Sequence, residues 1–272
     1  MLKRRSIARR ERRRRATIAG DATHLVLIPT YNAGPLLEAT VRDALRYWSP
    51  VWVVVDGSDD GSERAVLSLA ERDPRVRVIV RSTNGGKGAA VEEGLRLALA
   101  AGFTHVLTMD SDGQHPASYI PKFMRVSREQ PQAMILGRPV FGPEAPLERL
   151  YGRKVSVGFA RLEILGAGID DPLFGFRVYP AKPLLDALES TRFARGFDFD
   201  PEVAVRMVWN GVPTVNVPAP CRYFARTEGG VSHYHYVRDN LKMLWLHLRL
   251  LPELTLWRWR RVLRIRQQLR LS

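Results

Sequence analysis

Cysteine is almost missing from this 272-residue chain. Cys221 stands alone, so no intrachain disulfide can form, and the thiol count fits a reducing compartment. Long apolar runs are missing too. Nothing approaches the ~18–20 consecutive apolar residues needed to span a bilayer. No apolar stretch of adequate length follows the basic N-terminus either, so no secretory signal is expected. The chain is therefore expected on the cytoplasmic side. There is no internal repeat, and no linker between residues 22 and 232. A hydrophobic content of 45% with 26% charged residues excludes a collagenous or disordered chain.

What is present in excess is positive charge, and it is unevenly placed. The net charge is +14, yet residues 1–15 carry +8 and residues 238–272 carry +7, leaving −1 over 16–237. A neutral domain between basic tails suits an anionic membrane face or nucleic acid. Residues 1–15 alone read equally well as a solvated arm. The expected organisation is an arm over 1–21, one domain over 22–232 and a basic amphipathic helical region over 233–272. In that last region Leu241, Leu244, Trp245, Leu248 and Leu251 recur at helical spacing. Pro252 interrupts them. Leu256, Trp257, Trp259, Val262, Leu263 and Ile265 follow among arginines. Tryptophan and arginine interleaved in this way suit a helix lying in a membrane interface. The alternative is a helix that covers the domain core.

Between the tails, strands alternate with helices. Short apolar runs at His24–Pro29, Val51–Val55, Val76–Val80 and Thr104–Met109 each end in a turn-forming or polar cluster. Helices are expected over Ala33–Trp48, from about Ser62, over Gly88–Ala101 and over Tyr119–Glu129, with another strand from Ala133 to Leu136. Four β-α units in series predict an α/β fold with a mostly parallel sheet and right-handed crossovers. The second half is less regular. Helices are expected over Leu147–Leu165, Ala181–Ser190 and Pro201–Asn210. Asp170–Tyr179 reads as a loop entering a strand, and Val212–Val217 as a strand. In such sheets ligands bind beyond the carboxyl ends of the strands. Asn32, Asp56, Asn84 to Gly88 and Asp110 to Gln114 all lie there.

The most informative segment is Asp110-Ser111-Asp112-Gly113-Gln114-His115. Two carboxylates one residue apart at a strand end can share a divalent cation. Mg2+ and Mn2+ take oxygen ligands and are often shared between a few carboxylates and substrate phosphates. Asp56 can accept hydrogen bonds from a base or ribose, and Tyr31 can stack on a base. Asn84-Gly85-Gly86-Lys87-Gly88 opens a helix, and Lys87 adds charge at a helix N-terminus, where anions are favoured. The segment matches neither a Walker loop nor G-x-G-x-x-G, since Val91 stands at the third glycine position. A helix-capping turn is its plainer reading.

Taken in order, these motifs carry a resemblance. Pro29-Thr-Tyr-Asn, Val-Val-Asp56-Gly-Ser, Gly86-Lys87-Gly88-Ala and Asp110-Ser-Asp112-Gly-Gln114-His115-Pro are similar to segments of family 2 glycosyltransferases. The closest branch is the dolichyl- or polyprenyl-phosphate mannosyl- and glucosyltransferases. Asp171 with Phe174-Gly175-Phe176-Arg177, then Gly196 through Glu202, extends the match, which covers about residues 24–232. The resemblance implies the GT-A fold, a nucleotide-sugar donor, inverting transfer and a divalent metal, Mg2+ or Mn2+. It assigns Pro29, Tyr31, Asn32, Asp56, Lys87 and Asp110 to the donor. It places Asp110, Asp112 and Gln114 around the metal. Arg138, Arg153, Arg177 and Arg226 are expected at donor or acceptor phosphate, and Glu202 matches an acidic position on the acceptor side. Two departures stand out. Val55 replaces the first of two paired aspartates, and the Arg226 to His233 segment carries one extra residue and His for Lys.

If the acceptor is a lipid phosphate, it is already ionised and needs no protein base. A hydroxyl acceptor needs a carboxylate to take its proton, and Asp198, Asp200 and Glu202 are the candidates. Expected partners are a nucleotide-sugar, a lipid acceptor and an anionic membrane surface, but no nucleic acid. Two rival readings remain, a sugar-nucleotidyltransferase and a non-enzymatic nucleic-acid binder that uses the basic tails.

Overall fold

A computed structural model describes residues 21–142, 147–221 and 236–254, with 259, 260, 262, 263 and 265; for 147–152 and 236–240 it describes the backbone only. The arm over 1–20, Arg226 and Trp257 lie outside the described residues.

Strands β1 (His24–Thr30), β2 (Val51–Asp56), β3 (Val76–Arg81) and β4 (His105–Thr108) alternate with helices α1 (Leu36–Tyr47), α2 (Glu63–Arg72) and α3 (Lys87–Ala100). Then come α4 (Ile120–Glu129), β5 (Met134–Phe141), α5 (Leu147–Glu163), β6 (Arg177–Pro180), α6 (Ala181–Glu189), α7 (Phe199–Trp209), β7 (Thr214–Cys221) and α8 (Tyr236–Glu253). The sheet order is β3-β2-β1-β4-β6-β5-β7. β1 pairs in parallel with both β2 and β4, and β2 with β3. Parallel pairing on both sides explains why every residue of β1 and β2 is buried.

The period of two along these strands divides the core between the sheet's two faces. Leu25, Leu27, Trp52 and Val54 pack with α3, α6 and α7 on one face. Val26, Ile28, Val51, Val53 and Val55 pack with α1, α2 and α4 on the other. Val55, at the position of the missing aspartate, is thus a core residue.

The structure corrects several expected boundaries. α1 begins at Leu36 rather than Ala33, because Gly34 sits at φ +55° and Pro35 takes the cap position. β6 is only four residues long and runs antiparallel to both β4 and β5. β7 extends to Cys221 through Pro218 and Pro220, which its edge position allows.

The C-terminal helix α8 is also revised. Met243, Leu246, His247 and Leu250 are buried, whereas Leu241, Leu244, Trp245 and Leu248 are exposed. The apolar stripe read from the sequence is the outer face, and a second apolar set forms the inner one. Val262 and Ile265, read with the interfacial stretch, instead join the core. Among the described residues no helix is long and apolar enough to cross a membrane.

Candidate active site

β1, β2 and β4 run side by side, so the residues after their carboxyl ends share one edge of the sheet. After β1, Tyr31 is 36% exposed at the mouth, while Pro29 is buried within the strand. Asn32 adopts a left-handed φ of +47°. Its side-chain amide donates to Asp59 Oδ1 at 2.7 Å, and its side-chain oxygen accepts from the Asp59 amide at 3.0 Å. Asp60 Oδ2 accepts from the Gly34 amide at 2.9 Å. These bonds tie the loops after β1 and β2 together.

Asp56 is almost fully buried. Its carboxylate accepts from the Gly85 amide at 3.0 Å and the Gly86 amide at 2.7 Å, and Arg81 Nε lies 3.2 Å away. Here Asp56 anchors the turn before α3. A Cβ on Gly57, at φ +66°, would come within 2.4 Å of the Asn84 nitrogen, so the close approach of this turn requires glycine.

The same geometry fits the helix-capping reading of Asn84 to Gly88 rather than a phosphate cradle. Asp56 takes the Gly85 and Gly86 amides, and the Gly88 amide donates to Arg195 O at 2.9 Å. A Cβ on Gly88 would lie 1.8 Å from Ala194 O. These glycines admit a protein loop, and the turn caps α3. What reaches the strand ends is Lys87.

The Lys87 ammonium lies 2.6 Å from Asp110 Oδ1, beyond β4, and 2.6 Å from Asp200 Oδ2, in the first turn of α7. Burial works to lower the Lys87 pKa, but the two carboxylates outweigh it and hold the ammonium above its ordinary range. Burial raises the pKa of Asp110, and Lys87 more than offsets it, so that carboxyl stays below the usual value. Asp112 is pushed up, by burial first and by the Asp110 charge second. Its Oδ1 accepts from the Gln114 amide at 3.0 Å.

Two residues of this cluster stand in the quoted motifs but were given no role from the sequence. His115 is buried, and its Nδ1 accepts from the Asp110 amide at 3.0 Å. That bond leaves the proton on Nε2, which stands 3.6 Å from Asp110 Oδ2. Burial lowers the His115 pKa, which favours the neutral ring. Gly175 forms the facing wall. A Cβ there would meet Lys87 Nζ at 2.5 Å, Asp110 Oδ2 at 3.1 Å and Asp200 Oδ2 at 3.2 Å. The sequence signals were modest: a histidine closing the D-x-D segment and a glycine between two phenylalanines.

The other expected site residues are placed as follows. Asp198 precedes α7 and accepts from the Ala194 amide at 3.0 Å and the Gly196 amide at 2.8 Å, shaping the loop that packs on Gly88. Glu202 is fully buried on the far side of α7, against Arg206 and Arg249, so it is not beside Asp110 and Asp200. Arg177 has no exposed surface. It donates to Asp200 O and Pro172 O at 2.6 Å each and to Phe174 O at 2.8 Å, so its position fits pinning of the backbone rather than a phosphate contact. Arg153 pairs with Asp171, whose Oδ1 accepts from the Leu173 and Phe174 amides at 2.8 Å. Arg138 is exposed on β5, 3.9 Å from Asp170.

Among the described residues, no group of three or more His, Cys, Asp or Glu could hold a metal alone. The donor set nevertheless fits a hard divalent cation shared with a diphosphate. Asp110 and Asp112 supply two oxygen donors; burial first, and then the Asp110 charge, disfavour the ionised Asp112, and a cation between them would offset both. Asp200 Oδ1 is buried and has no hydrogen-bond partner among the described residues.

Comparison with known proteins sets this geometry in context. Residues 25–185 match the family model described as glycosyl transferase family 2. The chain is 32% identical over 224 residues to the polyprenol monophosphomannose synthase of Mycolicibacterium smegmatis, covering 80% of this chain and 83% of that protein. It is 33% identical over 204 residues to the undecaprenyl-phosphate mannosyltransferase of Micrococcus luteus, covering 71% and 81%. In fold it is similar to glucosyl-3-phosphoglycerate synthase from Mycobacterium tuberculosis with UDP, at TM-score 0.62 and 18% identity over 86% of this chain and 82% of that one. A mannosyltransferase from Pyrobaculum calidifontis with GDP-Man and Mn2+ gives TM-score 0.60 and 21% identity, over 85% and 65%.

Proposed function

This chain belongs to glycosyl transferase family 2, and from that premise we propose that it moves a sugar from a nucleotide-sugar to a lipid-phosphate acceptor at the cytoplasmic face of a membrane. The transfer inverts the anomeric configuration, as is general in the family. The observation that carries the reading is the cluster of Lys87 between Asp110 and Asp200 at the carboxyl edge of the sheet. The names of the two bacterial relatives support the lipid-phosphate acceptor.

Each group in the cluster has a distinct task in this reading. Asp110 and Asp112 would hold the divalent cation, Mg2+ or Mn2+, and the chemistry it would supply there is neutralisation of charge on a leaving diphosphate. Lys87 adds a fixed positive charge on the same side, and charge placed in advance is usually the largest catalytic contribution. Neutral His115 fixes Asp110 through its backbone amide and narrows the orientations open to that carboxylate. The Tyr31 ring and the loops tied by Asn32 and Asp59 receive the nucleoside. Gly175, lacking a side chain, lets Lys87, Asp110 and Asp200 come together against its backbone.

A phosphate acceptor attacks without a protein base. For a hydroxyl acceptor, Asp200 is the best placed of the three acidic candidates, because its Oδ1 has no partner among the described residues while Asp198 and Glu202 are engaged elsewhere. With Arg177 engaged by backbone carbonyls, Arg138 and Arg153, on β5 and α5, are the described cations left for donor or acceptor phosphate. The outer face of α8, with Leu241, Leu244, Trp245 and Leu248 exposed, supports contact with the lipid surface that holds the acceptor.

Product analysis tests the reading. Incubation with nucleotide-sugars, Mn2+ or Mg2+ and a short polyprenyl phosphate is expected to release nucleoside diphosphate and yield a glycosylated lipid. Release of pyrophosphate would mean nucleotidyl transfer instead, and no metal-dependent turnover with any sugar nucleotide would overturn the proposal.

A further inference from the structure

Helix α7 carries two carboxylates that face opposite ways, since residues two apart on a helix point about 200° apart. Asp200 faces Lys87. Glu202 faces α8, with no exposed surface. Its Oε1 accepts from Thr191 Oγ1 at 2.8 Å, Arg206 Nε at 2.8 Å and Arg249 Nη1 at 3.0 Å, and its Oε2 accepts from Arg249 Nη2 at 2.5 Å. Arg249 comes from α8 and lies 3.7 Å from the Phe193 ring centroid, so its guanidinium is held by the ring as well as by the carboxylate. Arg206 in turn reaches Glu253 Oε1 at 3.0 Å.

Buried ion pairs are seldom the cheapest way to fill a core, and apolar residues of similar volume often serve as well or better. What the pair does supply is direction. A bidentate guanidinium fixes both the distance and the rotation of the carboxylate it holds. On the sheet side of the same turn, Arg177 Nη1 holds Asp200 O at 2.6 Å. The first turn of α7 is therefore clamped between two guanidinium groups, one from the sheet and one from the C-terminal helix.

We propose that Arg249 is a positioning residue: through Glu202 it sets the rotation of α7 and so holds Asp200 at its place beside Lys87. The inference rests on the reading that Asp200 belongs to the transfer site, where its ion pair holds the Lys87 ammonium whether or not the acceptor needs a base. It gives α8 a second task, because the helix with the exposed apolar face also braces the reacting end of the molecule.

Arg249→Lys tests it, since lysine keeps the charge and loses the fork. Turnover is expected to fall about ten- to a hundred-fold, the scale of a small misplacement in an active site. Binding of nucleoside diphosphate with Mn2+ should stay within about twofold, because Asp110, Asp112 and Lys87 are untouched. In an Asp200→Asn background, the further loss on adding Arg249→Lys should vanish, as expected when one residue acts through the other. Glu202→Gln should reproduce this pattern and serves where Arg249→Lys does not fold. An equal fractional loss in both backgrounds, or parent-like turnover by a folded Arg249→Lys protein, would overturn the inference alone. Full activity of Asp200→Asn by itself would remove the reading of Asp200 and the inference with it.

Discussion

Replacing Gly175 by alanine places one methyl group where the structure leaves none. The added Cβ would stand 2.5 Å from Lys87 Nζ and 3.1 and 3.2 Å from the Oδ2 atoms of Asp110 and Asp200. The closest of these is the end of a flexible side chain, so Lys87 gives way first. Its ammonium must leave at least one of two contacts that are now 2.6 Å long. A hydrogen bond between charged groups contributes about 1.5–3 kcal/mol. Losing one such contact near the leaving group corresponds to a roughly thirty-fold fall in kcat/KM. Folding should suffer less, by about 1–2 kcal/mol, because the overpacking is relieved at a chain end rather than against backbone. The assay is release of nucleoside diphosphate in the presence of acceptor, alongside thermal melting. A folded Gly175→Ala protein with kcat/KM within twofold of the parent would refute the claim that this space is kept clear for Lys87.

Three further outcomes are expected. Asp112→Asn should lower metal-dependent turnover about a hundred-fold or more, with no loss of melting temperature, since the substitution relieves repulsion with Asp110; near-normal turnover would sink the metal assignment. Stability should fall as pH drops from 6.5 toward 4, because burial and then the stacked His105 lower the His24 pKa from 6.5 to about 4. The folded protein thus keeps His24 neutral while the unfolded chain takes up the proton, which costs up to about 3 kcal/mol. Urea unfolding at pH 7 and pH 5 measures this, and an identical pH slope in His24→Gln would contradict it. Trp245→Ser with Leu248→Ser should abolish binding to anionic liposomes at an unchanged melting temperature, as both side chains are more than half exposed; a lowered melting temperature with binding retained would assign them to the core.

Much of the fold is legible in the sequence because β1 to β4 each unite an apolar run with a polar cluster at its end, which is the pattern a parallel sheet requires. β6 is not, because four residues give too short a period, and its antiparallel pairing depends on strands far away in the chain. The candidate site divides in the same way. Asp56, Asp110 and Asp112 are visible as carboxylates after strands. Gly175 stands in a quoted motif but its role is not legible there, since its value lies in what approaches it from α3, β4 and α7. Arg177 and Glu202 misled for one shared reason: charged residues are rarely fully buried, so a charged residue in a matching motif reads as a ligand contact. Here each instead has its partners inside the protein.

The C-terminal helix shows how periodicity can find a helix and still leave its orientation open. α8 has apolar residues on two faces, so helical spacing alone could not say which one was inside. Its ionic contacts decide. His247 meets Glu163 at 2.8 Å and Arg249 meets Glu202 at 2.5 Å, so the inner face includes charged groups, while Trp245 and its neighbours face outward. A helix adapted to water alone would place those two sets the other way round. Charge on the inner face fixes one register of α8 against α5 and α7, because an ion pair, unlike an apolar contact, tolerates little sliding. The outer face is thereby left to meet an apolar phase at a fixed orientation relative to Asp200. Under the proposed function, that fixed relation between the outer face and the carboxylates of the candidate site is what would bring a surface-bound phosphate to the sugar.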